Sequence, residues 1–148
     1  MPVPRPVLVG LALGPIVLIG AAVGIMRSEI ATEVDGELAA SGAVGEWVMR
    51  APTCLSGEPL GFYGVELRDP AVPFTVRLVH EPGSEPLVSV EAQGGDGRTT
   101  ALGGERCATL EVTITPTDKR LGRVSLVDGA ATIDCEGLRG AVAFTSCH

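Results

Sequence analysis

Residues 7–26 (VLVGLALGPIVLIGAAVGIM) form a run of twenty residues that carries no charge. A helix of that length rises about 30 Å, which matches the hydrocarbon core of a bilayer. Lipid offers no hydrogen-bond partner to the backbone, so we expect this run to be helical despite its glycines. The chain is therefore predicted to have one N-terminal hydrophobic helix, within residues 1–26, followed by a body that folds in water.

The hydrophobic helix is either a cleaved signal peptide or an uncleaved membrane anchor, and the sequence leaves both alternatives open. Arg5, the apolar run and the small residues 22–24 are typical of a cleaved secretory signal peptide. The run nevertheless continues to Met26 and ends at Arg27, as a stop-transfer segment does. We favour an uncleaved single-pass anchor in the cell membrane, with the body outside the cytoplasm, periplasmic or extracellular. Cleavage would instead release a secreted protein.

Four glycines of the apolar run, Gly10, Gly14, Gly20 and Gly24, give two small-x-x-x-small pairs. On a helix they lie within an arc of about 120°. Such a stripe allows two membrane helices to pack closely. Helix packing through these glycines is a hypothesis, and its alternative is that glycine is ordinary apolar filler in this composition.

Residues 27–45 (RSEIATEVDGELAASGAVG) contain four acidic side chains and show little periodicity. Low hydrophobicity combined with net negative charge is typical of a solvated segment. We predict an acidic flexible linker over 27–45 that holds the body away from the membrane. A short first strand near residues 37–43 is the structural alternative.

The charge of the chain restricts its partners. The formal net charge is −7, and the chain has one Trp and one Tyr. Nucleic-acid binding requires a basic patch and stacking aromatic side chains, so we predict no nucleic-acid partner. The same charge disfavours electrostatic docking on anionic lipid beyond the anchor itself. The preference for Arg over Lys and the Ala, Gly and Val content are typical of a GC-rich bacterial genome.

The cysteines Cys54, Cys107, Cys135 and Cys147 all follow the apolar run. An even number of cysteines behind an export segment predicts two disulfides in an oxidising compartment. A zinc site favours cysteines about two to four residues apart. The spacings here are 53, 28 and 12 residues, so we predict neither a metal nor a cofactor.

From Glu46 onward, short runs rich in Val, Leu, Ile, Thr and Phe alternate with Gly, Pro and Asp clusters. Turn signals at intervals of roughly 8–12 residues are typical of an all-β sandwich or barrel. We predict an antiparallel β-sandwich over residues 46–148. Its strands, about eight or nine in number, are expected at 46–51, 60–67, 73–80, 86–92, 98–102, 107–115, 123–127, 130–135 and 140–147.

Alternation along several of these strands assigns their faces. Phe74, Val76 and Leu78 are expected to point inward, while Thr75 and Arg77 face water. The same pattern turns six residues of later strands inward: Val88, Val90, Ala92, Leu110, Val112 and Ile114.

The dipeptide at 128–129, Asp-Gly, is favoured by two-residue type I′ hairpins, so we predict a tight turn there. A loop of four residues, 136–139, is predicted to follow and to set Ile133 opposite Val142. A loop of five would turn Val142 and Phe144 out to solvent.

This register bears on the disulfides. Cys135 and Cys147 would lie roughly 20 Å apart along the hairpin. A disulfide needs Cα atoms within about 7 Å, so these two cysteines are predicted not to bridge. Strand alternation places Cys107 and Cys147 both on outward-facing positions. This favours a Cys107–Cys147 disulfide together with Cys54–Cys135. A bulge at either strand end would reverse that parity.

A catalytic site needs a nucleophile with a base, or a metal. His80 is one of two histidines and ends the inward face of its strand, where a hydrogen-bonded structural ring is expected. The glycine-rich loop 94–98 lacks the helix and Lys-Ser/Thr of a phosphate-binding loop, which favours a hairpin turn. Ser56 is not part of a G-x-S-x-G elbow. We predict no catalytic residue and no enzymatic activity.

The few aromatic side chains are the candidates for a contact surface. Phe62 and Tyr63 are adjacent and flanked by Gly61 and Gly64, so one ring must face outward unless a bulge intervenes. We predict Phe62, Tyr63 and Trp47 as contact residues. Packing of the outer ring beneath a neighbouring loop is the structural alternative.

These features together predict a non-catalytic interaction or structural module with a protein partner in the cell envelope. A secreted protein that binds a small ligand or carbohydrate is the second hypothesis. A small hydrolase with dispersed carboxylates is the third. A filled sandwich favours the first, an exposed aromatic groove the second, and a pocket with two neighbouring acids the third.

Overall fold

The computed structural model describes residues 30–50, 53–94 and 97–148. The predicted hydrophobic helix, with Gly10, Gly14, Gly20 and Gly24, lies outside these ranges. Within them, no helix is long and apolar enough to cross a membrane. Residues from Ala31 to His148 form a unit with a core of its own.

Antiparallel strands dominate the described residues. They form two five-stranded sheets, sheet A in the order β2-β1-β10-β9-β8 and sheet B in the order β3-β4-β5-β6-β7. This confirms the prediction of an antiparallel all-β fold and is consistent with a β-sandwich. The ten strands are β1 (Glu33–Ala40), β2 (Trp47–Arg50), β3 (Thr53–Ser56), β4 (Gly64–Arg68), β5 (Phe74–Val79), β6 (Leu87–Ala92), β7 (Thr99–Leu102), β8 (Cys107–Leu121), β9 (Val124–Cys135) and β10 (Leu138–Cys147).

Side chains from both sheets form one hydrophobic core. The alternation predicted for β5 and β6 is confirmed by Val76, Leu78 and Val88, which are fully buried. Burying a side chain of this size stabilises the fold by about 1.5–3 kcal/mol. Thr75 is buried although it was expected in water, because Gln93 folds over it and donates a hydrogen bond from Nε2 to its hydroxyl over 3.1 Å.

The prediction of a flexible linker is wrong over Glu33–Ala40, which form strand β1 between β2 and β10. Leu38 is fully buried and Ala40 nearly so, while Glu37 faces solvent. The acidic side chains thus occupy the outer face of a strand whose inner face is apolar. The folded body therefore begins before Glu46.

Asp128 and Gly129 lie within strand β9, so the predicted tight turn is wrong. The hairpin between β8 and β9 turns at Gly122 instead. A Cβ atom at position 129 would lie 2.0 Å from the Thr113 carbonyl oxygen and 2.8 Å from the Phe144 ring. Glycine is required here by close packing beneath that ring, not by a turn.

The turn between β9 and β10 contains two residues, 136–137, rather than the predicted four. Cys135 therefore pairs with Leu138, and the register of β10 differs from the prediction by two residues. A shift of two leaves every side chain on the same face of the sheet. Val142 and Phe144 accordingly do point inward, as predicted.

The two disulfides join Cys54 to Cys147 and Cys107 to Cys135. The favoured pairing of Cys107 with Cys147 and of Cys54 with Cys135 is wrong, whereas the exclusion of Cys135–Cys147 is confirmed. Bulges beside Cys107 in β8 and before Cys147 in β10 reverse the parity on which that pairing rests. Cys54–Cys147 joins the two sheets, and Cys107–Cys135 links neighbouring strands of sheet A.

Gly129→Ala is expected to lower the free energy of unfolding by about 1–3 kcal/mol, because the new methyl group overpacks the Phe144 ring and the facing strand. Gly122→Asn is the matched control, since Gly122 has φ +62° with open space around it, and asparagine tolerates that conformation. Urea denaturation measures both. If Gly129→Ala were as stable as the control, the pairing of β9 would be incorrect.

The two disulfides close loops of different length, with sequence separations of 93 and 28. Loop-closure entropy gives about 4.7 kcal/mol for the longer loop and about 3.6 kcal/mol for the shorter. Cys54→Ala with Cys147→Ala should therefore destabilise the protein more than Cys107→Ala with Cys135→Ala, by about 1 kcal/mol. Chemical denaturation of the two double variants checks the order, and the reverse order would contradict this account.

Candidate functional site

A pocket of about 220 Å³ opens where the loop before β4 in sheet B faces strands β8 and β9 of sheet A. We call it the end pocket. Its lining is mainly apolar, with Phe62, Tyr63, Gly64, Ile114, Pro116 and Val127 beside the polar residues Ser56, Glu58 and Ser125. Both sheets therefore contribute to one concave surface.

Hydrogen bonds hold the wall of the end pocket in place. The Gly57 N–H donates to the Gly64 carbonyl over 2.8 Å, and the Phe62 N–H donates to the Gly57 carbonyl over 3.1 Å. The Ser125 N–H donates to Glu58 Oε2 over 3.0 Å. This last bond connects the short 3₁₀ turn Glu58–Leu60, next to sheet B, to strand β9 of sheet A.

Two of the three predicted contact residues lie on the end pocket. Phe62 and Tyr63 are half-buried and line it side by side in sequence. The guanidinium carbon of Arg77 lies 5.8 Å from the centroid of the Phe62 ring, within cation–π range. The Tyr63 carbonyl accepts a hydrogen bond from the His80 N–H over 3.1 Å, which fixes the backbone at the pocket.

Trp47 does not belong to a contact surface, so that part of the prediction is wrong. The residue is 8% exposed, and its ring stacks on that of Phe74 with centroids 5.5 Å apart. Its Nε1–H donates to the Val44 carbonyl over 3.1 Å. The alternation of β2 directs Trp47 and Met49 to the core, which explains the burial.

Several polar groups near the end pocket already have partners. The buried Ser56 hydroxyl accepts a hydrogen bond from the Glu58 N–H over 3.4 Å. The His80 ring is hydrogen-bonded through Nδ1 to the Val112 carbonyl, as predicted for a structural histidine. No cluster of three or more His, Cys, Asp or Glu side chains that could hold a metal occurs within the described ranges. The end pocket therefore offers apolar contact with one carboxylate, Glu58, in its wall.

Sequence reasoning missed a buried ionic cluster on the outer face of sheet B. Glu66 has no exposed surface, yet it carries a carboxylate. Its Oε1 accepts a hydrogen bond from Arg68 Nε over 2.6 Å, and its Oε2 accepts one from Arg77 Nε over 2.7 Å. Arg77 also pairs with Glu91 over 3.3 Å. The signal in the sequence was a carboxylate, Glu66, between two apolar strand residues, and the register that sets it opposite Arg77 is seen only in the structure.

This cluster bears on the end pocket through Arg77. Glu66 fixes the guanidinium that lies over the Phe62 ring, and Phe62 forms part of the pocket wall. Glu66 thus acts as a positioning residue two contacts away from the site. Its own burial is tolerable because two arginines neutralise and hydrogen-bond the carboxylate.

Comparisons with known proteins do not identify a relative. The chain matches no known family model, and no curated protein or solved structure shows significant similarity to it. The geometry of the end pocket is therefore the basis on which a function is assigned.

Glu66→Gln is expected to lower the free energy of unfolding by about 2–4 kcal/mol, because it leaves two arginines facing a neutral group in a site built for a charge. Glu37→Gln removes the partner of an exposed ion pair with Arg50 and should cost less than about 1 kcal/mol. Thermal and urea unfolding of the two variants provide the comparison. Equal costs would show that burial adds nothing to the Glu66 cluster.

Proposed function

We propose that this protein is a non-catalytic interaction module that works outside the cytoplasm and holds an apolar side chain of a protein partner in the end pocket. The observation that carries this proposal is the convergence of Phe62, Tyr63 and Ile114 on one pocket between the sheets. Apolar pockets with a few polar groups are the usual binding sites of proteins. The hydrogen-bonded wall supports a preformed site.

The volume of the end pocket supports a single side chain as its occupant. An engineered cavity of roughly 150 Å³ accommodates benzene. Pockets for drug-sized ligands measure about 300–1,000 Å³. At about 220 Å³, the end pocket suits one aromatic ring or one branched aliphatic side chain. A protein partner that inserts such an anchor fits this size better than a whole metabolite does.

Two features support a location outside the cytoplasm. The uncharged run 7–26 has the length of a membrane span, and disulfides such as Cys54–Cys147 and Cys107–Cys135 persist in oxidising compartments. The proposed arrangement is a single-pass anchor in a bacterial cell membrane with the body in the periplasm or outside the cell. A cleaved leader would give the same body as a secreted protein.

The second candidate function is binding of a small ligand or carbohydrate by a secreted protein. It is favoured by the half-buried rings of Phe62 and Tyr63, which line a pocket rather than a filled sandwich, since Tyr combines an apolar ring with a polar hydroxyl. The volume of about 220 Å³ is what favours a single side chain over a whole ligand. The third, a hydrolase with dispersed carboxylates, would need two acids facing each other. Glu58 supplies one carboxylate at the end pocket, and its Oε2 already accepts the Ser125 N–H.

Indole and p-cresol, as analogues of Trp and Tyr side chains, are expected to bind the full-length protein saturably in the end pocket. The measurement is the shift of backbone amide NMR signals, with the largest changes at Phe62, Tyr63 and Ser125. Ile114→Phe fills the pocket and should weaken binding by about tenfold or more, which corresponds to 1.4 kcal/mol. Thr113→Phe, its neighbour on the outer face of β8, should leave binding unchanged.

Three other results would decide against the proposal. Absence of saturable shifts with either probe would exclude the end pocket as a binding site. Equal weakening by Ile114→Phe and Thr113→Phe would show that the probes bind elsewhere. Saturation of the same amides by glucose would favour the carbohydrate-binding candidate instead.

A further inference from the structure

The hairpin of β8 and β9 extends beyond the rest of sheet A. The last pairing of β10 with β9 joins Cys147 to Val127, whereas β8 and β9 remain paired as far as Leu121 and Val124. The hairpin residues beyond Val127, 117–126, have no paired strand on the β10 side, and we call them the hairpin arm. Three residue steps of β9 make it about 10 Å long.

The hairpin arm has a charge opposite to that of the chain. It carries Lys119, Arg120 and Arg123 against Asp118, which is three positive charges minus one, or +2, in a chain of net charge −7. All three basic residues are exposed, and none forms an ion pair with a carboxylate of the described residues. Leu121, at the turn, is 48% exposed.

The body starts at the same end of sheet A as the hairpin arm. Glu33, the first residue of β1, pairs with Thr145, and Thr32 donates a hydrogen bond from Oγ1 to the Ser146 carbonyl over 3.0 Å. Because β1 and β9 run in the same direction, the first residue of β1 lies at the end of sheet A from which the arm extends. Six residues, 27–32, separate the apolar run from β1 and can span at most about 20 Å.

We infer that the hairpin arm is a second membrane contact, in which Lys119, Arg120 and Arg123 lie on anionic lipid headgroups and Leu121 enters the interface. This inference rests on the proposed membrane anchorage of residues 7–26. The short tether keeps the arm near the bilayer, where the potential of anionic lipid acts within about one Debye length, 8 Å at physiological salt. An apolar tip flanked by basic side chains is the chemistry that such a surface recognises.

The contact would orient the body. Pro116 and Val127, at the base of the hairpin arm, and Ser125, within the arm, also line the end pocket. With the arm on the lipid, the end pocket lies close to the membrane surface. The partner that inserts a side chain would then be one that is itself held at that surface.

The test uses the full chain reconstituted in vesicles that contain acyl-brominated lipid, a quencher of tryptophan fluorescence. Leu121→Trp places a reporter at the tip, and Val48→Trp is the matched control. Val48 is 42% exposed and pairs with Ala39, near the opposite end of β1. The buried Trp47 contributes equally to both variants.

In vesicles of phosphatidylglycerol mixed with phosphatidylcholine, quenching of Leu121→Trp should exceed that of Val48→Trp by about twofold or more. The difference should vanish in phosphatidylcholine alone. It should also vanish when Lys119→Ser, Arg120→Ser and Arg123→Ser are added to the Leu121→Trp chain.

Each contrary result has its own meaning. A chain extracted from the vesicles by alkali would overturn the membrane anchorage itself. A chain that stays embedded but shows equal quenching at both positions would overturn the arm contact alone. A blue shift of Leu121→Trp emission on adding polyglutamate, without quenching by lipid, would replace the lipid surface with an acidic protein partner.

Discussion

The disulfide between Cys54 and Cys147 is the interaction on which the rest of the structure depends. It is the disulfide that links the two sheets, and it joins residues 93 positions apart. Cys54 is two residues from Ser56, and Cys147 pairs with Val127, so the bridge lies behind two residues that line the end pocket. The same bond that closes the sandwich therefore sets the separation of the pocket walls.

The bridge forms because β10 breaks its regular alternation just before its end. The register shifts between Phe144 and Cys147, and Ser146 adopts φ 55°, a conformation that side chains rarely take. Without that irregularity, Cys147 would lie on the outer face, as its parity predicts, and could not reach Cys54. Local backbone strain at Ser146 is thus offset by a long-range covalent closure.

The sequence predicts the faces of this fold better than its registers. Side chains alternate between the two faces of a strand, so a shift of the register by two residues leaves each side chain on the same face. Val142 and Phe144 were therefore correctly predicted to point inward although the register of β10 differs by two residues. The dipeptide at 128–129 misleads for a related reason. A tight turn and a close approach of a ring both require a missing side chain, and only the facing Phe144 distinguishes them. Strand β1 was missed in the sequence because its acidic outer residues alternate with the apolar residues of its inner face.

Only part of the candidate site, the residues Phe62 and Tyr63, could be predicted from the sequence. Phe62 and Tyr63 attract attention because adjacent aromatics between glycines cannot both be buried in a regular strand. Ile114 and Val127 belong to strands about fifty or more residues later, and nothing local marks them as pocket residues. Strand β3, which carries Ser56, has the sequence TCLS and lacks the Val, Ile and aromatic residues by which a strand is recognised. Sheet topology is what brings these pieces together.

The net charge of this protein does not describe its local surfaces, because acidic and basic side chains lie in different parts of sheet A. The acids of β1 lie along an outer face of sheet A, whereas the basic residues of the hairpin arm project beyond its end. Electrostatic potential near a surface falls off within about 8–10 Å, so a partner at the arm senses the local +2 more strongly than the overall −7. The start of β1, the end pocket and the hairpin arm all lie at one end of sheet A. The proposed membrane contact and the proposed binding of a partner would therefore occur at the same end.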